Sequence, residues 1–231
     1  DANTTASSNT AVGGNALGDT TTGAQNVALG IEAGKGNNGD YNTAIGHDAL
    51  ELVSTGSYNT GMGRDAGRQI TTGSGNVCIG PNAGDGGNTN YCVSIGSFAA
   101  SANTYDGTTA VGYYALVSNT TASYNTAVGL QALEANTTGT RNLAIGAFAL
   151  QANTTGASNV AVGAYALDAN TTTSYSTAIG YYALSANTTG TENTAVGYAS
   201  LIKNTTGDKN TSVGYDALGE NTTADRNTAI G

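Results

Sequence analysis

The sequence has few of the residues from which compact cores are usually built. Its 231 residues include no Trp, two Phe and one Pro, and Leu, Ile, Val and Phe together number only 36. That is about 16% of the chain, below the ~20% at which composition begins to indicate disorder. No run of about 18 apolar residues is present, which argues against a membrane-spanning helix.

Basic residues are scarce as well. Seven Lys and Arg stand against sixteen Asp and Glu, giving a formal net charge of −9. Because nucleic acids and anionic membranes attract positive charge, this balance argues against both as partners. Composition leaves two classes, a disordered chain and a chain that is ordered by repetition.

A repeat that begins with Asn-Thr-Ala-Val/Ile-Gly or a close variant runs through the whole chain. Its copies start at Asn9, Asn26, Asn42, Asn59, Asn76, Cys92, Thr108, Asn125, Asn142, Asn159, Ser176, Asn193, Asn210 and Asn227. Ten of the thirteen intervals are 17 residues long and three are 16. We therefore predict one repeat array of about fourteen coils over residues 1–231, beginning and ending within a repeat.

We number the positions of each repeat from its first residue, so that Asn125 is position 1 and Gly129 is position 5. Position 4 is large and apolar in every repeat, which predicts the structural core. These residues are Val12, Leu29, Ile45, Met62, Ile79, Ile95, Val111, Val128, Ile145, Val162, Ile179, Val196, Val213 and Ile230. Position 3 is always Ala, Gly, Ser or Cys and points to the other side of the strand, where we expect a neighbouring chain to approach.

Position 5 is Gly in every repeat, which predicts a corner with positive φ. These corner glycines are Gly13, Gly30, Gly46, Gly63, Gly80, Gly96, Gly112, Gly129, Gly146, Gly163, Gly180, Gly197, Gly214 and Gly231. Positions 8 and 9 are usually Ala and Leu and are expected to form a second short strand. At position 12 we expect a hydrogen-bonded asparagine ladder along the stack, formed by Asn119, Asn136, Asn153, Asn170, Asn187, Asn204 and Asn221.

These features predict an all-β fold, a parallel β-solenoid with two short strands in each coil of 16–17 residues. Helical solenoids have repeats of ~33 residues or more, and Gly, Thr and Asn at this density oppose helix formation.

The strings Asn125-Thr-Ala-Val-Gly-Leu-Gln-Ala-Leu and Asn193-Thr-Ala-Val-Gly-Tyr-Ala-Ser-Leu resemble the head repeats of trimeric autotransporter adhesins of the YadA type. Similar arrays occur in phage and prophage tail-fibre proteins. The resemblance covers essentially the whole chain. It implies a left-handed β-roll, packed side by side as a homotrimer, in an extracellular adhesive or spacer shaft.

Three functional readings stay open at this stage. The first is a non-enzymatic structural or adhesive fibre segment without cofactor, with a host-surface glycan or protein as a candidate partner. The second is an extracellular filament subunit that polymerises end to end, because Asp1-Ala-Asn-Thr-Thr and Gly231 both fall within a repeat. The third is an ice-binding solenoid. Against it, adjacent threonines such as Thr137 and Thr138 would leave a strand on opposite faces.

Individual residues give weaker signals, and we predict no catalytic residue and no metal site. Aromatic residues crowd positions 6 and 7 as candidates for surface binding or packing between chains: Tyr113, Tyr114, Tyr165, Tyr181, Tyr182, Tyr198 and Tyr215. Glu32, Asp48 and Asp65 share position 7, where nearby Lys and Arg favour a solvated mixed-charge surface over a bound cation. Cys78 and Cys92 are expected about 8 Å apart, beyond disulfide range, as small core residues.

Overall fold

The computed structural model describes residues 5–231. Residues 1–4, the first part of the predicted array, lie outside the described residues. Two compact units divide the chain, one ending at Tyr113 and the other spanning Tyr114–Gly231. Across residues 5–231 the only regular elements are strands, and no helix long and apolar enough to cross a membrane is found there.

Each unit contains seven strands of three residues. The first unit has β1 (Thr10–Val12), β2 (Val27–Leu29), β3 (Thr43–Ile45), β4 (Thr60–Met62), β5 (Val77–Ile79), β6 (Val93–Ile95) and β7 (Thr109–Val111). The second has β8 (Thr126–Val128), β9 (Leu143–Ile145), β10 (Val160–Val162), β11 (Thr177–Ile179), β12 (Thr194–Val196), β13 (Thr211–Val213) and β14 (Thr228–Ile230). Within each unit the strands are parallel, in chain order and in register, so that equal repeat positions pair. This confirms the predicted all-β, parallel β-solenoid.

The predicted second strand of each coil is wrong. Positions 8 and 9 lie in a turn, and Leu133 at position 9 has a left-handed φ of +52°. Its N–H still donates to the carbonyl oxygen of Ala149 in the next coil at 3.0 Å. The coil therefore bends sharply at this point while its hydrogen bonds continue along the stack.

The predicted core is also wrong, because the strands face the opposite way. None of the position-4 residues is buried, and Leu29 is 48% exposed. The correction applies to Val12, Leu29, Ile45, Met62, Ile79, Ile95, Val111, Val128, Ile145, Val162, Ile179, Val196, Val213 and Ile230. Position 3 points inward instead, and Ala144 there is completely buried.

The interior of the coil explains why position 3 is always small. A Cβ added to Gly61, at position 3, would lie 2.7 Å from Cγ of Leu50, the position-9 leucine of the preceding coil. Position 9 thus supplies the large apolar side chain of the core, and the strand residue opposite it must be short. The small residues of position 3 serve this packing within the chain, so they are not the approach face for a neighbouring chain.

Candidate functional site

The corner glycines are confirmed by the backbone. All fourteen have φ between +122° and +140°, a region that residues with a Cβ rarely adopt. A Cβ on Gly129 would also lie 2.5 Å from the carbonyl oxygen of Gly146 in the next coil. Backbone conformation and close coil contact therefore both require glycine here.

The asparagine ladder of position 12 is confirmed from Asn119 to Asn221. Each Nδ2 from Asn136 onward donates to Oδ1 of the asparagine one coil earlier, at 2.8–3.5 Å. Every Nδ2 of the ladder also donates to a backbone carbonyl oxygen three residues later, at 2.8–3.2 Å. Both amide hydrogens are therefore used at each rung from Asn136 to Asn221.

A second buried amide row, at position 1, was missed by the sequence analysis. At this position, Oδ1 of the asparagine in one coil accepts a hydrogen bond from the backbone N–H of the position-1 residue in the next coil. For example, the N–H of Asn142 donates to Oδ1 of Asn125 at 2.9 Å. The row occurs in both units, for example from Asn59 to Asn42 at 2.8 Å. The signal was present in the sequence, since an amide that recurs in eleven of fourteen coils needs hydrogen-bond partners when buried.

We call the outward-facing residues of positions 2 and 4 the strand face. Position 2 is Thr, Val or Leu and position 4 is Val, Ile, Leu or Met in all fourteen repeats. No charged residue occurs at either position, although the chain has 23 charged residues elsewhere. An accessible, uncharged face of this kind is a candidate surface for interaction.

The tyrosines of positions 6 and 7 form two stacked rows in residues 114–231. Phe148, Tyr165 and Tyr182 stack at position 7 with centroids 4.9 Å apart, and Tyr181, Tyr198 and Tyr215 stack at position 6 with centroids 5.7 and 5.0 Å apart. Tyr181 and Tyr182 join the rows edge to face at 4.3 Å, and their hydrogen bond raises the pKa of Tyr182 to about 12. These rings thus pack against one another within the chain, and Tyr181, Tyr198 and Tyr215 remain exposed. Tyr113 is exposed and Tyr114 is half-buried.

A further row, the threonine double row, occupies positions 13 and 14 in residues 114–231. Its members are Thr120, Thr121, Thr137, Thr138, Thr154, Thr155, Thr171, Thr172, Thr188, Thr189, Thr205, Thr206, Thr222 and Thr223. None of them is buried, and all seven at position 14 are exposed. The strand argument that adjacent threonines point to opposite faces does not apply here, because these residues lie in a bend and not in a strand.

The acidic residues of the first unit are held by basic neighbours. Glu32, Asp48 and Glu51 bring carboxylate oxygens within 4.8 Å of one another, so Glu51 takes the place that the sequence suggested for Asp65. Arg68 Nε lies 2.7 Å from Glu51 Oε2, and Arg64 Nε lies 3.2 Å from Asp65 Oδ2. These ion pairs form a mixed-charge surface beside the three carboxylates.

Cys78 and Cys92 are free and buried, as expected for small core residues. Burial raises the pKa of Cys78 to about 12, which keeps its thiol protonated at neutral pH. Cys92 continues the position-1 row, since its backbone N–H donates to Asn76 Oδ1 at 3.0 Å.

Comparison with known proteins gives no relative for the chain: no family model matches it, and neither a curated protein nor a solved structure does.

Proposed function

We propose that this chain is a non-catalytic structural segment of an extracellular fibre in which three copies pack through their strand faces. The observation that carries the proposal is the strand face itself, which is exposed or half-exposed, regular and free of charge in every coil. The coil interior is already filled by its own Ala, Leu and Asn rows. A partner for the strand face therefore has to come from outside the chain.

The size of the strand face suits a homo-oligomer. Seven three-residue strands spaced ~4.8 Å apart give each unit a footprint of about 340 Å². Each unit thus supplies a little under half of the ~800 Å² per partner of a standard interface. Three copies and an extracellular location are proposed from the resemblance of the repeat to surface-fibre proteins.

The tyrosine rows support the structural side of this proposal. A ring face that stacks on the next ring is not available to a sugar of a host glycan, although the position-6 rings Tyr181, Tyr198 and Tyr215 remain exposed. In residues 114–231 these rows add contacts between successive coils. We therefore favour a structural role for these tyrosines, in which they stiffen the segment, over a role in binding a receptor glycan or protein.

The test is the mass of the purified chain in solution, measured by light scattering over a concentration series. We expect three times the monomer mass of 22.8 kDa. Ile179→Arg places a charge at an exposed position-4 residue and should give a folded monomer, because the isolated chain leaves that side chain in solvent. Thr72→Arg, at an exposed turn, is the matched control and should remain trimeric.

Two results would contradict the proposal. A wild-type monomer at every concentration would leave the strand face without a partner copy. A mass that keeps growing with concentration would instead indicate the end-to-end filament.

A further inference from the structure

The threonine double row is unbroken over seven successive coils, and this regularity is the basis of a second inference. In residues 5–113 the same positions are interrupted, for example by Asn38 and Gly39 and by Tyr105. The double row spans six steps of ~4.8 Å, about 29 Å in all. Its seven position-14 threonines present a hydroxyl and a methyl group to solvent at each step.

The position-13 hydroxyls are held in a fixed orientation. Those of Thr120, Thr137, Thr154, Thr188 and Thr205 each donate to the backbone carbonyl oxygen of the position-13 threonine in the next coil, at 3.0–3.2 Å. A hydroxyl that donates in this way still accepts hydrogen bonds from water. A ligand that binds the row therefore meets five position-13 side chains that have already lost rotamer freedom, which lowers the entropy cost of binding.

The residues at positions 11 and 16, on either side of the double row, are short and neutral in its central coils, and the nearest exposed aromatic and Arg residues are at position 17, at Tyr175 and Arg141. Position 11 is Ala135, Ala152, Ala169 and Ala186, and position 16 is Thr140, Ala157, Ser174 and Thr191. No aromatic or Arg anchor of the kind that dominates protein–protein interfaces stands beside the threonines at these positions. The ligand that suits this surface is therefore itself polar, uncharged and periodic.

Ordered water has these properties. Water oxygens hydrogen bonded tetrahedrally at ~2.75 Å place second neighbours about 4.5 Å apart. The coils repeat at ~4.8 Å, so successive threonines lie close to successive oxygens of an ice surface. We propose that the threonine double row binds ice. This proposal does not depend on the proposed fibre function, because it uses a different face of the coil.

Thermal hysteresis and inhibition of ice recrystallisation test the proposal directly. The wild-type chain should show both activities. The double variant Thr155→Lys/Thr172→Lys places two long charged side chains in the middle of the row and should lower both at least ten-fold. Thr55→Lys makes the same change at an exposed position-14 threonine of the first unit, where the row is broken, and should leave activity unchanged.

Circular dichroism of each variant shows that the coil is intact, since the substituted side chains are exposed. A folded wild-type chain without thermal hysteresis and recrystallisation inhibition overturns the proposal. Equal loss in the double variant and in Thr55→Lys overturns it too, because the activity would not reside in the row. Light scattering on the same samples reports the oligomeric state, so failure of the fibre proposal is seen separately.

Discussion

Residues 5–113 and residues 114–231 build the same coil but fill its interior differently. In the second unit position 9 is Leu and position 12 is Asn in all seven coils. In the first unit position 9 is Gly in three coils, at Gly34, Gly67 and Gly84. In the second unit positions 9 and 12 are therefore filled by the same residues in every coil, whereas in the first unit these residues differ from coil to coil.

One coil of the first unit shows how the interior volume is conserved. Gly67 occupies position 9 there, and Ile70 occupies position 12 in place of asparagine. Ile70 is fully buried, and a Cβ on Gly67 would lie 3.1 Å from its Cδ1. The large side chain has moved from one position to the other within the coil. The comparison shows that the interior can be filled from position 9 or from position 12, and that an amide is not the only residue that position 12 accepts.

The largest expected effect comes from removing a position-9 leucine in the regular unit. Leu167→Ala should lower the free energy of unfolding by about 3 kcal/mol, because Leu167 is fully buried and Asn170 is tied into the ladder and cannot refill the cavity. Urea denaturation followed by circular dichroism measures the loss. Leu130→Ala, at an exposed position of the same unit, should change stability by less than about 0.5 kcal/mol. Equal losses would mean that position 9 is not the core.

A smaller loss of stability is expected when a ladder asparagine at position 12 is replaced by an apolar residue of the kind found there in the first unit. Val53 is fully buried at this position in the first unit, so Asn153→Val should fit sterically. It would still leave Asn136 Oδ1 without its donor at 2.8 Å and one N–H of Asn170 without its acceptor at 2.9 Å, while the carbonyl oxygen of Gly156 keeps the amide of Asn142 as a donor. We expect a loss of about 2 kcal/mol in the same denaturation experiment.

Thr155→Val is the control for that substitution, since it changes an exposed side chain in the same turn. Its effect on stability should stay below about 0.5 kcal/mol. An Asn153→Val chain as stable as the wild type would show that the ladder hydrogen bonds add nothing to packing.

The smallest expected effect concerns the half-buried carboxyl of Asp168. Burial raises its pKa above the usual value of 3.8, and its Oδ1 has no hydrogen-bond partner within residues 5–231. Because the folded pKa exceeds the unfolded one, the charged form destabilises the fold above the folded pKa. That penalty disappears as pH falls toward 3.8.

Asp168→Asn should therefore raise the thermal midpoint at pH 7, and the advantage should shrink as pH falls through the folded pKa. Thermal denaturation of both chains from pH 7 to pH 4 measures it. An advantage that is constant over this range would assign the effect to something other than ionisation of Asp168.

The sequence was sufficient for the features that depend on a strict residue type. Corner glycines such as Gly129 and ladder asparagines such as Asn153 recur at one position because φ, close contact or hydrogen bonding admits few alternatives. The period then gives the parallel register, since equal positions of successive coils pair.

The orientation of the strand could not be obtained in the same way. In a three-residue strand, either the middle residue at position 3 or the two flanking residues at positions 2 and 4 face the interior. The apolar residue at position 4 suggested that the flanking residues do. The deciding fact is that Leu150 at position 9 fills the interior and leaves room only for a small residue opposite. That contact joins residues from different parts of the coil, which the repeat pattern alone does not bring together. The threonine double row was misjudged because Thr137 and Thr138 lie in a bend, where strand alternation does not apply.

The asparagine ladder also decides how the chain can be modified. Each Asn-Thr-Thr string, such as that of Asn153, satisfies the sequon for N-glycosylation. Transfer of a glycan needs the amide nitrogen, but the Asn153 side chain is fully buried and both of its N–H groups are engaged. Glycosylation at these rungs is therefore open only to the unfolded chain, and an attached glycan would keep that coil from closing. In a secretory pathway with oligosaccharyltransferase, folding and glycosylation would compete for the same asparagines.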